Sequence, residues 1–215
     1  MDIKQFQQLP ILGILRGIEE SHVEPLVAII ESAGLKTIEI TMNTKGAPAL
    51  IRKAVAISKG RLTIGAGTVL DMASLHAALD AGATFIVMPV LVPDVMAYCV
   101  KHNIRTFPGA FSPQEIFTAW RAGATMVKVF PTSALSPEYF SEIKGPFADI
   151  KLLACGGVTA QNMKSYFAHG ADAVSFGASV FKKEWLAKKD FSSIGLSIKE
   201  FLQEFSLLKT GFPKK

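Results

Sequence analysis

The sequence predicts an α/β fold: a single (β/α)8 barrel, the TIM barrel, preceded by a short N-terminal helix. Three observations predict it. Eight short apolar runs recur about every twenty to twenty-six residues, and an amphipathic, helix-like stretch separates each from the next. The runs are apolar on both faces, as strands enclosed by helices are. Strands alternating with helices in this register give a parallel sheet with right-handed crossovers. A doubly wound open sheet is the alternative, but it would have fewer units and a dinucleotide-type glycine loop.

Residues 1–10 are expected to form a short helix over the barrel floor. The runs that follow are ILGIL (11–15), TIEI (37–40), LTIGA (62–66), FIVM (85–88), RTF (105–107), MVKVF (126–130), KLLA (151–154) and AVSF (173–176). Helix signals fall between them. Ser21-His22-Val23-Glu24 and Ser112-Pro113-Gln114-Glu115 read as capping boxes, the second with Pro at the first helical position. Ser136-Pro137-Glu138 and Thr159-Ala160-Gln161 read as further helix starts. Gly34, Gly82, Gly123 and Gly170 each close a helix just before the next strand. Residues 190–208 form the closing helix. No linker or low-complexity stretch interrupts the series, so residues 1–215 read as one domain.

Composition narrows the function classes. Of 215 residues 49% are hydrophobic, enough for a continuous core. The apolar runs reach only strand length, which excludes a membrane-spanning helix. MDIKQFQQLP lacks the features of a signal peptide, so a soluble, cytoplasmic protein is expected. Cys99 and Cys155 suggest neither a disulfide framework nor a thiolate metal site. His22, His76, His102 and His169 fall on helices or helix ends without metal-ligand spacing, so neither metal nor cofactor is expected. The net charge of +5 comes from scattered Lys and Arg, clustered only at Lys182-Lys183, Lys188-Lys189 and Lys214-Lys215. A solvated surface accounts for these better than nucleic-acid or membrane binding, and a mild positive field favours anionic substrates.

In such a barrel the informative polar residues are those at strand ends. Arg16 ends the first run. Glu39 lies within the second, followed by Thr41 and Asn43, and Thr68 follows the third in GAGTV. Lys128 stands in the middle of the sixth, between Met126-Val127 and Val129-Phe130. A lysine there is either a buried stem whose ammonium reaches water or a nucleophile. Desolvation favours a free amine, which attacks a ketone to form a Schiff base. Glu39 either pairs with Lys128 or acts as a general acid/base, and the two roles are compatible. After the seventh and eighth runs come Cys155-Gly156-Gly157-Val158-Thr159 and Gly177-Ala178-Ser179. These small-residue turns open into helices and suit a phosphate held by backbone N–H groups. Pro89 and Phe130-Pro131 either wall an apolar pocket or pack in the core.

Glu39 in IEIT, Thr68 in IGAGTV, Pro108-Gly109 in FPGAFSPQE, Lys128 in VKVFP and Gly156-Gly157 together resemble the 2-keto-3-deoxy-6-phosphogluconate/4-hydroxy-2-oxoglutarate aldolase family. The likeness runs over nearly the whole chain, from ILRG to ASVF. It implies a metal-free class I pyruvate aldolase, usually a homotrimer, acting on a phosphorylated keto acid. It further implies Lys128 as the Schiff-base lysine and Glu39 as the proton shuttle. Arg16 and Thr68 would then hold the pyruvyl carboxylate, and Phe130 would face the pyruvyl carbons. Gly156, Gly157, Gly177, Ala178 and Ser179 would cradle the phosphate, and Thr41, Asn43, Pro89 and Cys155 complete the expected substrate-binding set. Phosphogluconate members carry Arg where this chain has Asn43 and Thr where it has Cys155. Asn43 and the FPTSALSP stretch are more similar to the phosphogalactonate branch. A phosphate-binding isomerase or epimerase is the rival; it would share the glycine turns but not need Lys128 as a nucleophile. A non-catalytic metabolite-binding barrel would tolerate loss of both Lys128 and Glu39.

Overall fold

Nine parallel strands form one sheet in a computed structural model that describes residues 1–211; Lys214-Lys215 lie outside the described residues. They are β1 (Ile11–Leu15), β2 (Thr37–Thr41), β3 (Thr63–Gly67), β4 (Phe85–Val87), β5 (Arg105–Phe107), β6 (Gly109–Ala110), β7 (Val127–Val129), β8 (Leu152–Cys155) and β9 (Ala173–Phe176). Their spatial order is β5-β4-β3-β2-β1-β9-β8-β7-β6. Eight of the nine strands lie on the eight apolar runs; β6 falls outside them, because the fifth run ends at Phe107 and the strand resumes beyond Pro108. Proline has no N–H to give to a ladder. Before it β5 pairs with β4, and after it β6 pairs with β7. The N–H of Lys128 donates to the Pro108 carbonyl at 2.8 Å, and that of Thr125 donates to Thr106 at 3.0 Å. The divided fifth strand thus bridges the two ends of the sheet, and the barrel is nearly closed.

The helices are α1 (Ile3–Gln8), α2 (Glu20–Ala33), α3 (Ala47–Ser58), α4 (Met72–Asp80), α5 (Pro93–Lys101), α6 (Pro113–Arg121), α7 (Glu138–Lys144), α8 (Met163–Ala168), α9 (Lys183–Ala187) and α10 (Phe191–Gly211). The Asp2 side chain caps α1 by accepting from the Lys4 and Gln5 N–H groups. That helix drives Phe6 into the barrel, 5.9 Å from the Phe107 ring, where it packs with Leu12, Phe85 and Leu153 as the floor. The Ser112–Glu115 capping box is present, and its carboxylate also accepts from the Phe111 N–H at 2.9 Å. Gly34 closes α2 in the left-handed region, at φ 97°.

Two helix starts differ from expectation. The α2 capping box joins Glu19 and His22 rather than Ser21 and Glu24, because the backbone turns extended at Glu19 and helical at Glu20. Near Thr159 the helix waits until Met163. The Thr159 N–H donates to Asn162 Oδ1 at 2.8 Å and the Asn162 N–H returns to Thr159 Oγ1 at 3.3 Å, which holds a turn in place of a first helical turn.

Strand alternation separates two apolar layers. Ile11, Leu15, Ile38, Ile40, Val127, Val129 and Val174 pack outward against the helices, while Leu12, Val87, Phe107, Met126 and Ala173 fill the barrel. Among the described residues no helix is long and apolar enough to cross a membrane. Nor does any group of three or more His, Cys, Asp and Glu among them lie placed to hold a metal ion.

Candidate active site

Following the inward ladder two residues at a time leads from the packed floor to the site. On β7 it climbs from Met126 to Lys128 and Phe130; on β1 from Leu12 to Ile14 and Arg16; on β8 from Leu153 to Cys155 and Gly157. A cavity of about 340 Å³ opens there at the C-terminal ends of the strands. Of the predicted residues Arg16, Lys128, Phe130, Cys155, Gly156, Gly157, Gly177, Ala178 and Ser179 line it. Ser175 and Lys183, which the sequence did not single out, line it too. The Lys128 residue is only 5% exposed, and its ammonium sits 5.1 Å from the centroid of the Phe130 ring. That is within cation–π reach.

Glu39 is 1% exposed, and its Oε2 is buried without a hydrogen-bond partner among the described residues. The glycines of IGAG explain how a carboxylate fits inside a strand layer. Gly65 pairs with Glu39 across the β2–β3 ladder, and Gly67 lies two residues further on. A Cβ at Gly67 would overlap the Glu39 carboxylate, and one at Gly65 would overlap the Phe85 ring. Burial pushes the Glu39 carboxyl above the ordinary glutamate range, and the Lys128 and Arg16 charges oppose this without cancelling it. The Arg16 guanidinium donates to Thr68 Oγ1 at 3.3 Å. Thr68 itself sits at φ 56°, in the left-handed region that a β-branched residue rarely enters. Such strain concentrates at functional sites.

The glycine turn after β8 is held by three side chains, of which sequence reasoning named Ser179 and missed Thr132 and Asn162. Thr132 Oγ1 donates to the Gly156 carbonyl at 2.5 Å, Asn162 Nδ2 to that of Gly157 at 2.9 Å, and Ser179 Oγ to that of Val158 at 2.8 Å. Three successive carbonyls are thus occupied, whereas the N–H groups of Gly156, Gly157 and Val158 donate to no backbone carbonyl among the described residues. Gly156 and Gly157 both have positive φ, 101° and 78°. A turn in this state offers an anion its donors rather than its acceptors. The signals for the two missed residues were the FPTSALSP stretch, which contains Thr132, and the expected helix start Thr159-Ala160-Gln161, which Asn162 follows directly.

Five predicted residues are not among those that line this cavity: Glu39 and Thr68, which lie beside Gly67 and Arg16, and Thr41, Asn43 and Pro89. Thr41 is fully buried, its hydroxyl 3.0 Å from that of Thr44. The Thr44 hydroxyl in turn accepts from the Gly17 N–H at 2.9 Å, so the pair ties the β1 and β2 loops together. Asn43 is exposed on the turn after β2 and does not line the cavity. Pro89 lines a neighbouring hollow of about 320 Å³ with Val90, Phe111 and Phe130, so the Phe130 ring is the wall between the two. A Cβ at Gly109 would overlap the Pro89 carbonyl, which accounts for the glycine in FPGA.

Comparison with known proteins matches this architecture. The family model for KDPG and KHG aldolase matches residues 3–196. A probable 2-dehydro-3-deoxy-6-phosphogalactonate aldolase of Rhizobium meliloti (strain 1021) is 33% identical over 174 residues, 80% of this chain and 82% of that protein. A 2-dehydro-3-deoxy-phosphogluconate aldolase of Pseudomonas aeruginosa is 30% identical over 199 residues, 92% of this chain and 89% of that protein. A solved structure described as "Native KDPGal structure" superposes with a TM-score of 0.88 at 28% identity, covering 94% of this chain and 97% of its own. In sequence and in fold alike, over most of its length, the chain belongs to the KDPG and KHG aldolase family.

Proposed function

We propose that the chain is a class I pyruvate aldolase. It cleaves 2-dehydro-3-deoxy-6-phosphogluconate, or the galactonate epimer, to pyruvate and glyceraldehyde 3-phosphate. One observation carries the reading: the Lys128 amine, 5% exposed on an apolar strand, opens into a cavity whose rim is a glycine turn with N–H groups that meet no backbone carbonyl among the described residues. In the reaction the amine adds to the C2 ketone and water leaves, giving an iminium. Glu39, directly or through a water, takes the C4 hydroxyl proton. The C3–C4 bond breaks, its electrons move into the iminium to give an enamine, and the C4 fragment leaves as the aldehyde. The enamine is then protonated at C3, and hydrolysis of the resulting iminium frees pyruvate and the amine. Arg16 and Thr68 hold the carboxylate, Phe130 packs on the pyruvyl carbons, and Gly156, Gly157, Ala178 and Ser179 surround the phosphate.

Apolar exposure beside the cavity supports assembly. Val90, Phe111 and Phe130, around the neighbouring hollow, are 54%, 41% and 37% exposed, and burying them against another copy in a homotrimer removes that surface from water. A phosphate ester does not cross a bilayer unaided, so the substrate class supports action in the cytoplasm.

Pyruvate release from each phosphorylated epimer, followed with a coupled dehydrogenase, tests the reading, and EDTA should leave the rate intact. Of Asn43 and Cys155, the two positions that depart from phosphogluconate members, only Cys155 lines the cavity, where it would meet the C4 hydroxyl with a thiol that is a weak donor. One neutral hydrogen bond is worth about 0.5–1.5 kcal/mol, so the kcat/KM ratio between epimers should stay below roughly thirty. No cleavage of either epimer overturns the reading. A preference above about a thousandfold shows that groups other than Cys155 set the stereochemistry.

A further inference from the structure

The fold separates the two members of the Lys182-Lys183 pair, which composition alone places on the solvated surface. Lys182 sits with its ammonium 4.2 Å from the centroid of the Trp185 ring, in a groove between α9 and α10 that does not include Lys128. Lys183, the next residue, lines the catalytic cavity. The route of the chain explains the split. The Gly177 carbonyl accepts from the N–H groups of Val180 at 3.0 Å and Phe181 at 2.8 Å, a tight turn that buries both side chains. The chain emerges from that turn at the cavity mouth, beside Gly177, Ala178 and Ser179. The Lys183 side chain makes no ion pair or hydrogen bond with another described residue.

The cavity therefore gathers three cationic residues, Arg16, Lys128 and Lys183. The proposed chemistry uses two of them, Lys128 at the ketone and Arg16 at the carboxylate. The glycine turns supply hydrogen bonds to a phosphate but no formal charge, whereas a phosphate ester carries nearly two negative charges at neutral pH. We infer that Lys183 pairs with the substrate's phosphate and is a specificity-determining residue that selects phosphorylated over unphosphorylated keto acids. This rests on the aldolase reading given above. A flexible lysine acts on a phosphate as a point charge and demands no fixed geometry, which suits a residue at the rim. Because Lys183 is exposed, solvent and salt screen it, and its effect is moderate.

The test compares Lys183→Gln, Lys183→Arg and Lys182→Gln with the unaltered protein. For Lys183→Gln the preference for the phosphorylated keto acid over its unphosphorylated counterpart should fall about five- to twentyfold, through KM rather than kcat. Lys183→Arg should restore most of it, and Lys182→Gln should leave it in place. Inorganic phosphate, titrated by phosphorus NMR, should bind the Lys183→Gln protein about five- to twentyfold more weakly, and the salt dependence of that binding should flatten. Equal losses on both substrates would assign Lys183 a structural role, and unchanged phosphate binding would remove it from the site; either overturns the inference. Borohydride trapping of pyruvate, which carries no phosphate, reports on the aldolase reading separately. If trapping fails in the unaltered protein, that reading falls while the phosphate titration still judges Lys183.

Discussion

Glu39 holds its proton to higher pH than an ordinary glutamate, because burial penalises its anion more than Lys128 and Arg16 reward it. In the unfolded chain the proton leaves at the ordinary value. Between that value and the raised native one the native state binds more protons, so stability falls as pH rises through this window. Glu39→Gln removes the buried anion. Thermal melts across pH should therefore show a flatter slope and a higher Tm at neutral pH, while kcat drops by roughly 10²–10⁴-fold. An unchanged kcat would take Glu39 out of the proton transfer. At this scale the sequence announced its exceptions well. Lys128 and Glu39 are legible because each interrupts an apolar run, where an unpartnered charge is costly. Thr41 and Asn43 were harder to place, since spacing along a strand does not reveal that the Thr44 hydroxyl meets Thr41. Lys183 looked like surface, and only the turn at Gly177 brings it to the cavity.

Among elements, the turn after β8 depends on neighbours far away in sequence. Thr132 reaches the Gly156 carbonyl across 24 residues, and no local pattern marks such a tie. Thr132→Val leaves that carbonyl without its donor at a cost of about 1–3 kcal/mol, visible as a lower denaturation midpoint. Once the turn loosens, KM for the phosphorylated substrate should rise about tenfold, whereas pyruvate, which lacks a phosphate, should still be trapped. Equal KM for the variant and the unaltered protein would mean that the tie does not shape the turn. Capping chemistry was readable where side chain and backbone agree, as at Ser112–Glu115. It failed at α2, where the extended backbone of Glu19 moved the box two residues back. The glycines of IGAG were legible as a motif but not as a cause: their task, leaving space for Glu39 and Phe85, appears only when the strands are side by side.

For the whole molecule, eight periodic runs were sufficient to predict the parallel barrel, because a βα repeat with runs apolar on both faces has few other ways to bury itself. The division of the fifth strand at Pro108 was not legible, since it arises from pairing with β4 on one side and β7 on the other. Assembly was open from composition alone, and the exposed apolar residues around Phe111 and Phe130 give it a surface. Sedimentation equilibrium should return three times the 23.2 kDa chain mass, and Phe111→Glu should shift it toward the single chain. A monomer at micromolar concentration would contradict the trimer.

The central claim is the covalent step at Lys128. Incubating the protein with pyruvate, reducing with borohydride and mapping the modified peptide by mass spectrometry tests it directly. The account predicts one three-carbon adduct, on Lys128, which the Lys128→Ala protein does not form. An adduct on another lysine, trapping that persists in that variant, or no adduct at all would contradict it.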